Sequence, residues 1–136
     1  MWWVYALLSA FFASLTAIFA KIGVKNVDSD LATAIRTVVI IIIAWAIVFF
    51  KGAQHGIPAL SRHSLIFLAI SGVATGLSWL FYFKALQLGK VSQVAPIDKL
   101  SVALTIILSV VFLKEVLTIK TAVGAALIIA GVIVLI

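Results

Sequence analysis

The chain alternates between long apolar runs and short polar segments, and this pattern sets its expected architecture. Five stretches are dominated by apolar residues, and each ends at charged residues or turn formers. A helix that crosses a bilayer needs about 20 mostly apolar residues. Four stretches meet this requirement and the fifth is slightly short, which predicts an all-α, polytopic membrane protein. The predicted helices cover approximately residues 3–20, 31–50, 65–88, 94–113 and 119–136 of a single domain, 1–136.

A soluble helical bundle is the alternative, and it would require polar faces that recur with the helical period of 3.6 residues. Residues 38–50 read VVIIIIAWAIVFF and contain no polar face. Hydrophobic residues make up 65% of the chain and charged residues 10%. Ordinary soluble domains are about 45–50% apolar and about 25% charged. The composition therefore excludes disorder and argues strongly against a soluble domain.

The chain lacks the residues that several classes of function require. The chain contains no cysteine, and its two histidines, His55 and His63, lie in a polar loop without an acidic cluster, so neither a metal site nor a cofactor is expected. No Ser-His-Asp set, phosphate-binding loop or pair of carboxylates is present, so no enzymatic activity is expected. A basic surface with interleaved aromatic residues on a polar domain is also absent, which argues against a nucleic acid partner.

The positive charges are balanced across the membrane. The formal net charge is +6, and an excess of Lys and Arg in the cytoplasmic loops normally sets orientation. Here the connections on each side contain four Lys or Arg residues, which predicts a dual topology and an antiparallel homodimer. If the helix ends are misassigned by a few residues, one side has the excess and the orientation is single. The residues are Lys51, Arg62, Lys114 and Lys120 on the amino-terminal side, and Lys21, Lys25, Lys84 and Lys90 on the other.

Four ionisable residues fall inside or at the edge of apolar runs, where charge is costly and often functional. Arg36 lies six residues past Asp30, about 9 Å along a helix. Arg36, Lys84, Asp98 and Lys99 all approach from the side opposite the amino terminus, and one polar layer is predicted there. Lys84 and Lys99 have a second interpretation, in which their stems extend to the interface. Asp98 is either a proton-coupling group or a salt-bridge partner.

The fourth predicted helix carries a polar stripe. Asp98, Ser101, Thr105 and Ser109 are spaced three, four and four residues apart, which places them on one helix face. Such a face either lines a cavity or forms hydrogen bonds to a neighbouring helix. Pro96 is expected in the first turn of this helix, with a break in the helix as the alternative.

Glycine pairs and an aromatic cluster complete the candidate features. Gly72 and Gly76 on the third helix, and Gly124 and Gly131 on the fifth, permit close approach of backbones and are predicted to form packing faces. The fifth helix is the candidate dimer contact. The aromatic cluster at residues 79–83 is expected to face lipid or the core rather than a ligand.

Several stretches, taken in order, carry a family resemblance. They are FAKIGVKNV, LATAIRTVV, SWLFYFKALQLGKVSQVAPIDKLS, FLKE and GAALIIAGVIVL. With them the chain resembles the single-domain, five-helix members of the EamA-type group in the drug/metabolite transporter superfamily. The resemblance implies a half-unit that must pair, in the cytoplasmic membrane of a bacterium or archaeon. It also implies alternating-access transport of small metabolites or drugs, and it matches Arg36 and Glu115 to an arginine and an acid often found in relatives.

The chain departs from its relatives at two points. Many of them place a proline near the position of Val102, whereas this chain has Pro96. Related small multidrug resistance proteins use a glutamate in helix one, and helix one here contains no acid. Proton-coupled export of lipophilic cations is therefore not favoured.

The features together favour a transporter of a small metabolite or drug-like solute, acting as a dual-topology homodimer in the lipid bilayer, with proton coupling as an option. Asp98, Arg36, Ser101, Thr105, Lys99 and Lys84 are the candidate residues for substrate binding or coupling. The alternative is a non-transporting partner subunit, or half of a heterodimeric lipid-linked flippase.

Overall fold

The computed structural model describes residues 1–135, and all of their regular structure is helical. Six α-helices and one 3₁₀ helix follow one another with short connections. They are α1 (Trp2–Gly23), α2 (Ser29–Phe50), the 3₁₀ helix (Ala53–Ala59), α3 (Arg62–Leu88), α4 (Val91–Asp98), α5 (Leu100–Phe112) and α6 (Ile119–Leu135).

Four helical segments are long and apolar enough to cross a membrane. They are α1, α2, α3 and the segment Val91–Phe112, which contains α4 and α5; helix α6 is apolar but has only 17 residues. Large apolar side chains are exposed on all of them. Such a surface is unfavourable in water but is well solvated by the acyl chains of a bilayer. The prediction of an all-α, multi-pass membrane protein with about five helices is confirmed.

The fourth predicted helix differs from the structure. It was expected as one piece over residues 94–113, but it begins at Val91 and is interrupted at Lys99. Pro96 lies inside α4 rather than in its first turn, so its expected position was wrong. A proline has no N–H, and its ring crowds the carbonyl four residues earlier. The helix is interrupted within one turn after it.

Helices α1, α2 and α3 extend beyond their predicted ends because polar residues can occupy first and last turns. Helix α2 begins at Ser29, where the Asp28 carboxylate accepts hydrogen bonds from the N–H groups of Asp30 and Leu31, both at 3.0 Å. An aspartate in this position satisfies N–H groups that a helix start leaves unpaired. Gly52 follows α2 with φ +67°, a left-handed conformation that glycine adopts without steric cost.

The chain divides into two bodies. One comprises Met1–Ile18 and the chain from Leu88 onward, and the other is Phe19–Gln87. In the first body, α5 packs against α6, and Ala103 and Val132 are buried there. In the second body, every buried residue lies within two short segments, 20–33 and 83–86. These buried residues are Ala20, Val24, Ser29, Thr33, Phe83 and Leu86.

The glycines predicted to form packing faces have open space beside them. A Cβ atom built on Gly72, Gly76, Gly124 or Gly131 would meet no atom of another helix within 4 Å in the described chain. The packing faces predicted at these glycines, including the dimer contact on the fifth helix, stay a prediction.

Candidate functional site

Arg36 lies well inside α2, seven residues past the first residue of the helix, or about 10 Å along the axis. Its side chain is half-buried. The preceding turn carries Thr33, whose hydroxyl donates to the Ser29 carbonyl at 2.9 Å, and the Thr37 hydroxyl donates to the Thr33 carbonyl at 2.8 Å. Both hydroxyls thus donate to carbonyls of their own helix, and neither forms a hydrogen bond with Arg36.

The Arg36 guanidinium stacks on the aromatic cluster of α3. Its central carbon lies 3.5 Å from the centroid of the Trp79 ring and 5.2 Å from that of Phe83. Trp79 and Phe83 meet edge to face at 5.8 Å, and Phe83 is only 2% exposed. The two rings therefore give the cation a fixed aromatic surface.

The acids of the same body are engaged away from Arg36. Asp28 and Asp30 are the only acids in Phe19–Gln87. Asp28 caps the start of α2, and Asp30 lies six residues before Arg36, about 240° around the helix. Among residues 1–135 the guanidinium has no hydrogen-bond or ion-pair partner, and its Nε atom is buried without one.

The aromatic contact offsets only part of the cost of this charge. A cation–π contact contributes about 0.5–1 kcal/mol at an exposed site and about 2 kcal/mol when it is desolvated. An arginine at the centre of a spanning helix costs about 2.5–3.5 kcal/mol on insertion scales. Arg36 is thus a cation positioned by two aromatic rings, and no acidic residue of the described chain neutralises its charge.

The second group of candidate residues lies at the interruption between α4 and α5. The Lys99 N–H donates to the Pro96 carbonyl, and the Lys99 carbonyl accepts from the Val102 N–H, both at 3.0 Å. Both bonds span three residues instead of four, so the backbone tightens into a 3₁₀-type turn at this point. The Asp98 carboxylate forms an ion pair with Lys99 at 3.4 Å.

The surroundings of this ion pair are partly open. Asp98 is half-buried, and its side chain is 37% exposed. Lys99 lines an apolar groove together with Pro96 and, on α6, Gly131 and Val132. The pair is thus accessible from outside a single copy.

The hydroxyl stripe of α5 is turned toward its own backbone. The Thr105 hydroxyl donates to the Ser101 carbonyl at 2.8 Å, and the Ser109 hydroxyl donates to the Ile106 carbonyl at 2.9 Å. Ser101 and Thr105 are both exposed. In the described chain, neither the Ser101 nor the Thr105 hydroxyl forms a hydrogen bond to another helix. Their predicted place in a cavity stays a prediction.

Lys84 has no fixed partner. It is exposed on α3, and none of the described residues forms a hydrogen bond or ion pair with its amine. This geometry suits an amine that extends to the membrane surface. Glu115, which the family resemblance singled out, is exposed after Lys114, and its N–H donates to the Ser109 carbonyl at 3.3 Å.

One polar contact was not anticipated from the sequence. Gln87, in the last turn of α3, donates from Nε2 to the Val27 carbonyl at 2.9 Å and to the Val24 carbonyl at 3.4 Å. In return, the Lys21 amine donates to the Leu86 carbonyl. Helix ends leave carbonyl groups unpaired. Here a side chain of α1 pairs with a carbonyl in the last turn of α3, and a side chain of α3 pairs with two carbonyls just past the end of α1. We call Lys21 and Gln87 the helix-end clasp.

The candidate residues thus form two groups, one in each body. Arg36 is joined by Trp79 and Phe83, which sequence reasoning assigned to lipid or core, and Asp98 is joined by Lys99. The sequence signal that could have paired Arg36 with the aromatic residues is their similar depth below the membrane surface. Arg36 lies six residues inside from Asp30, and Trp79 lies five residues inside from Lys84. The predicted single polar layer of Arg36, Lys84, Asp98 and Lys99 stays a prediction.

Comparison with known proteins identifies the family. The sequence profile described as the EamA-like transporter family matches residues 1–136. The chain belongs to the EamA-like transporter family. This agrees with the resemblance seen in the sequence and with the multi-pass helical fold, and it makes the protein a membrane protein of a transporter family.

Two relatives cover nearly the same length as this EamA-like protein. One, from Sinorhizobium sp., bears the name "uncharacterized transporter in cobO 3′ region" and is 50% identical over 130 residues, which are 96% of this chain and 92% of the relative. The other, an uncharacterized protein of Methanocaldococcus jannaschii, is 33% identical over 132 residues, which are 97% and 93% of the two chains. No solved structure matches the chain.

Proposed function

We propose that this protein transports a small polar solute across the cytoplasmic membrane of a bacterium or archaeon by alternating access, as an antiparallel homodimer. The observation that carries the proposal is the interrupted span Val91–Phe112, with the Asp98–Lys99 ion pair at its break. Many transporters place substrate and coupling-ion sites at discontinuous helices near the middle of the membrane. Membership in a transporter family supports the same conclusion.

The antiparallel arrangement rests on the charge balance. Four basic residues flank the spans on each side of the membrane, so no side is favoured as cytoplasmic. Two copies in opposite orientations would supply the inverted halves from which many transporters are built. The roles of Arg36, Ser101, Thr105 and Lys84 in such a cavity are part of this proposal.

The orientation can be measured directly because the native chain contains no cysteine. Gln54 lies in the 3₁₀ helix between α2 and α3, and Ser92 lies in the first turn of α4. The proposed topology places single cysteines at these two positions on opposite sides of the membrane. We expect an impermeant thiol reagent to label about half of each variant in intact cells, since equal bias gives about equal populations. Permeabilised cells, in which both sites should label fully, provide the control.

Labelling at only one of the two positions would contradict the dual topology. It would favour a single orientation and an oppositely inserted partner of another sequence, as in a heterodimeric flippase.

A second prediction concerns Asp98. In a proton-coupled cycle, the Asp98 carboxylate would alternate between binding a proton and pairing with Lys99. Asp98→Asn prevents this alternation because an amide does not bind a proton in this way. In proteoliposomes, uptake of a radiolabelled solute driven by a pH gradient should then fall to the level of protein-free liposomes. The solute is the one that the wild type accumulates from a panel of amino acids, organic acids and sugars.

The matched control is Asp30→Asn, which alters an exposed acid at the start of α2. It should leave uptake unchanged, and size-exclusion profiles should show that both variants assemble. Undiminished pH-driven uptake by Asp98→Asn would remove Asp98 from the coupling mechanism.

A further inference from the structure

We propose that Arg36, held against the ring of Trp79, binds the carboxylate of a small organic acid. The solute carried is then a monocarboxylate with an apolar body. The inference names the substrate class of the transport site and in that respect rests on the proposed function.

The first step is the unmet charge of Arg36. The guanidinium has no hydrogen-bond or ion-pair partner among residues 1–135, and Asp28, one of the two acids of its body, caps α2. An arginine inside a spanning helix is normally paired or faces a cavity. A bound anion would provide the missing partner.

The second step is the geometry of the stack. The Trp79 centroid lies 3.5 Å from the guanidinium carbon, so the ring covers one face of the planar cation. The N–H groups of a guanidinium point outward in its plane and match the two oxygens of a carboxylate in a bidentate pair. Stacking therefore fixes the plane of the guanidinium. Its two terminal nitrogens, which unlike Nε are not buried, remain for the ligand, and the fixed plane lowers the entropy lost on binding.

The third step is the match of charge and polarity. Arg36 contributes one positive charge, and a carboxylate contributes one negative charge. Of the amines on α1 and α3 in the same body, Lys21 donates to the Leu86 carbonyl, and Lys84 is exposed in the manner of an amine that extends to the membrane surface. A doubly charged phosphate would leave excess negative charge beside Trp79 and the buried Phe83. The same two rings favour an apolar body on the ligand.

The test uses the native chain, which has only two arginines, Arg36 and Arg62. Phenylglyoxal modifies free guanidinium groups, and peptide mass spectrometry reads each arginine separately. In phosphate-free maltoside detergent, benzoate should slow modification of Arg36 several-fold, whereas benzamide, its neutral counterpart, should not. Arg62, exposed at the start of α3, is the internal reference and should react equally in all conditions.

Two further arms separate the sources of negative charge. Inorganic phosphate at the same concentration should protect Arg36 less than benzoate. In nanodiscs without benzoate, replacing phosphatidylcholine by phosphatidylglycerol should leave the reactivity of Arg36 unchanged. Protection by phosphatidylglycerol would show a lipid site instead and would overturn the proposal.

Variants test the role of the ring. Trp79→Leu should abolish protection by benzoate, because the guanidinium loses its fixed plane. Trp45→Leu, which removes an exposed tryptophan of α2, should retain it.

Three further results on the wild type alone would overturn the inference, whatever the variants do. They are equal protection by benzoate and benzamide, no protection by benzoate, and an Arg36 that does not react while Arg62 does. None of these measurements involves transport or orientation. The thiol-labelling experiment can therefore fail while this inference survives, and the reverse also holds.

Discussion

Two lysines added at the helix ends and connections on one side of the membrane should convert the mixed population into a single orientation. Asn26→Lys with Ser92→Lys raises the basic residues on the side opposite the amino terminus from four to six. Both positions are exposed, so the fold should tolerate the change. Since the richer side becomes cytoplasmic, a cysteine at Gln54 should then label almost completely in intact cells.

The reverse variant should show the opposite result. Ala53→Lys with Ala59→Lys adds two charges at the ends of the 3₁₀ helix, on the amino-terminal side. A cysteine at Ser92 should then become the fully labelled position. Substitution of glutamine at the same sites provides the neutral control and should preserve the mixed population.

The two charged variants also test the working assembly. If antiparallel pairing is required, either variant alone should transport no more solute than protein-free liposomes. Co-expression should restore uptake, since the two orientations are then present together. Wild-type uptake by one variant alone would contradict the antiparallel dimer.

Replacement of Gln87 by leucine should be the most destabilising single substitution in the helix-end clasp. The change removes the hydrogen bonds to the Val27 and Val24 carbonyls and leaves them unpaired beside Val24, a residue only 1% exposed. A buried acceptor left without its partner costs about 1–3 kcal/mol. The free energy of unfolding in mixed maltoside and dodecyl sulfate micelles, followed by circular dichroism, should fall by this amount.

Gln93→Leu is the matched control. Gln93 is exposed on α4, and its side chain forms no hydrogen bond within the described chain. Its replacement should change the unfolding free energy by less than about 0.5 kcal/mol, as is usual for surface positions. Equal effects of the two substitutions would mean that the clasp does not stabilise the fold.

The membrane spans could be predicted because length and apolar content suffice for them. The bilayer requires that each crossing segment be a helix, and the run VVIIIIAWAIVFF leaves no other choice. The interruption at Lys99 was harder to predict from the sequence. Hydropathy remains high through residues 100–113, and Pro96 was equally compatible with a first turn. The first-turn assignment failed because α4 begins at Val91, earlier than its apolar run.

Contacts between helices were the harder part. Arg36 was identified from its cost in an apolar run, but its stacking on Trp79 depends on how α2 and α3 are rotated about their axes. Spacing within one helix does not set that rotation. Gln87 was overlooked for a similar reason, since a polar residue near a helix end resembles the start of a loop.

The distribution of buried residues in Phe19–Gln87 has a mechanical consequence. Nothing between Ala34 and Tyr82 is buried in one copy, whereas the ends of α2 and α3 near the helix-end clasp are. A change in the separation of the far halves of these helices thus exposes no protein core. It exchanges contacts with acyl chains instead. We therefore expect acyl-chain length and lateral pressure to shift the balance between conformations of this protein at constant temperature and pH.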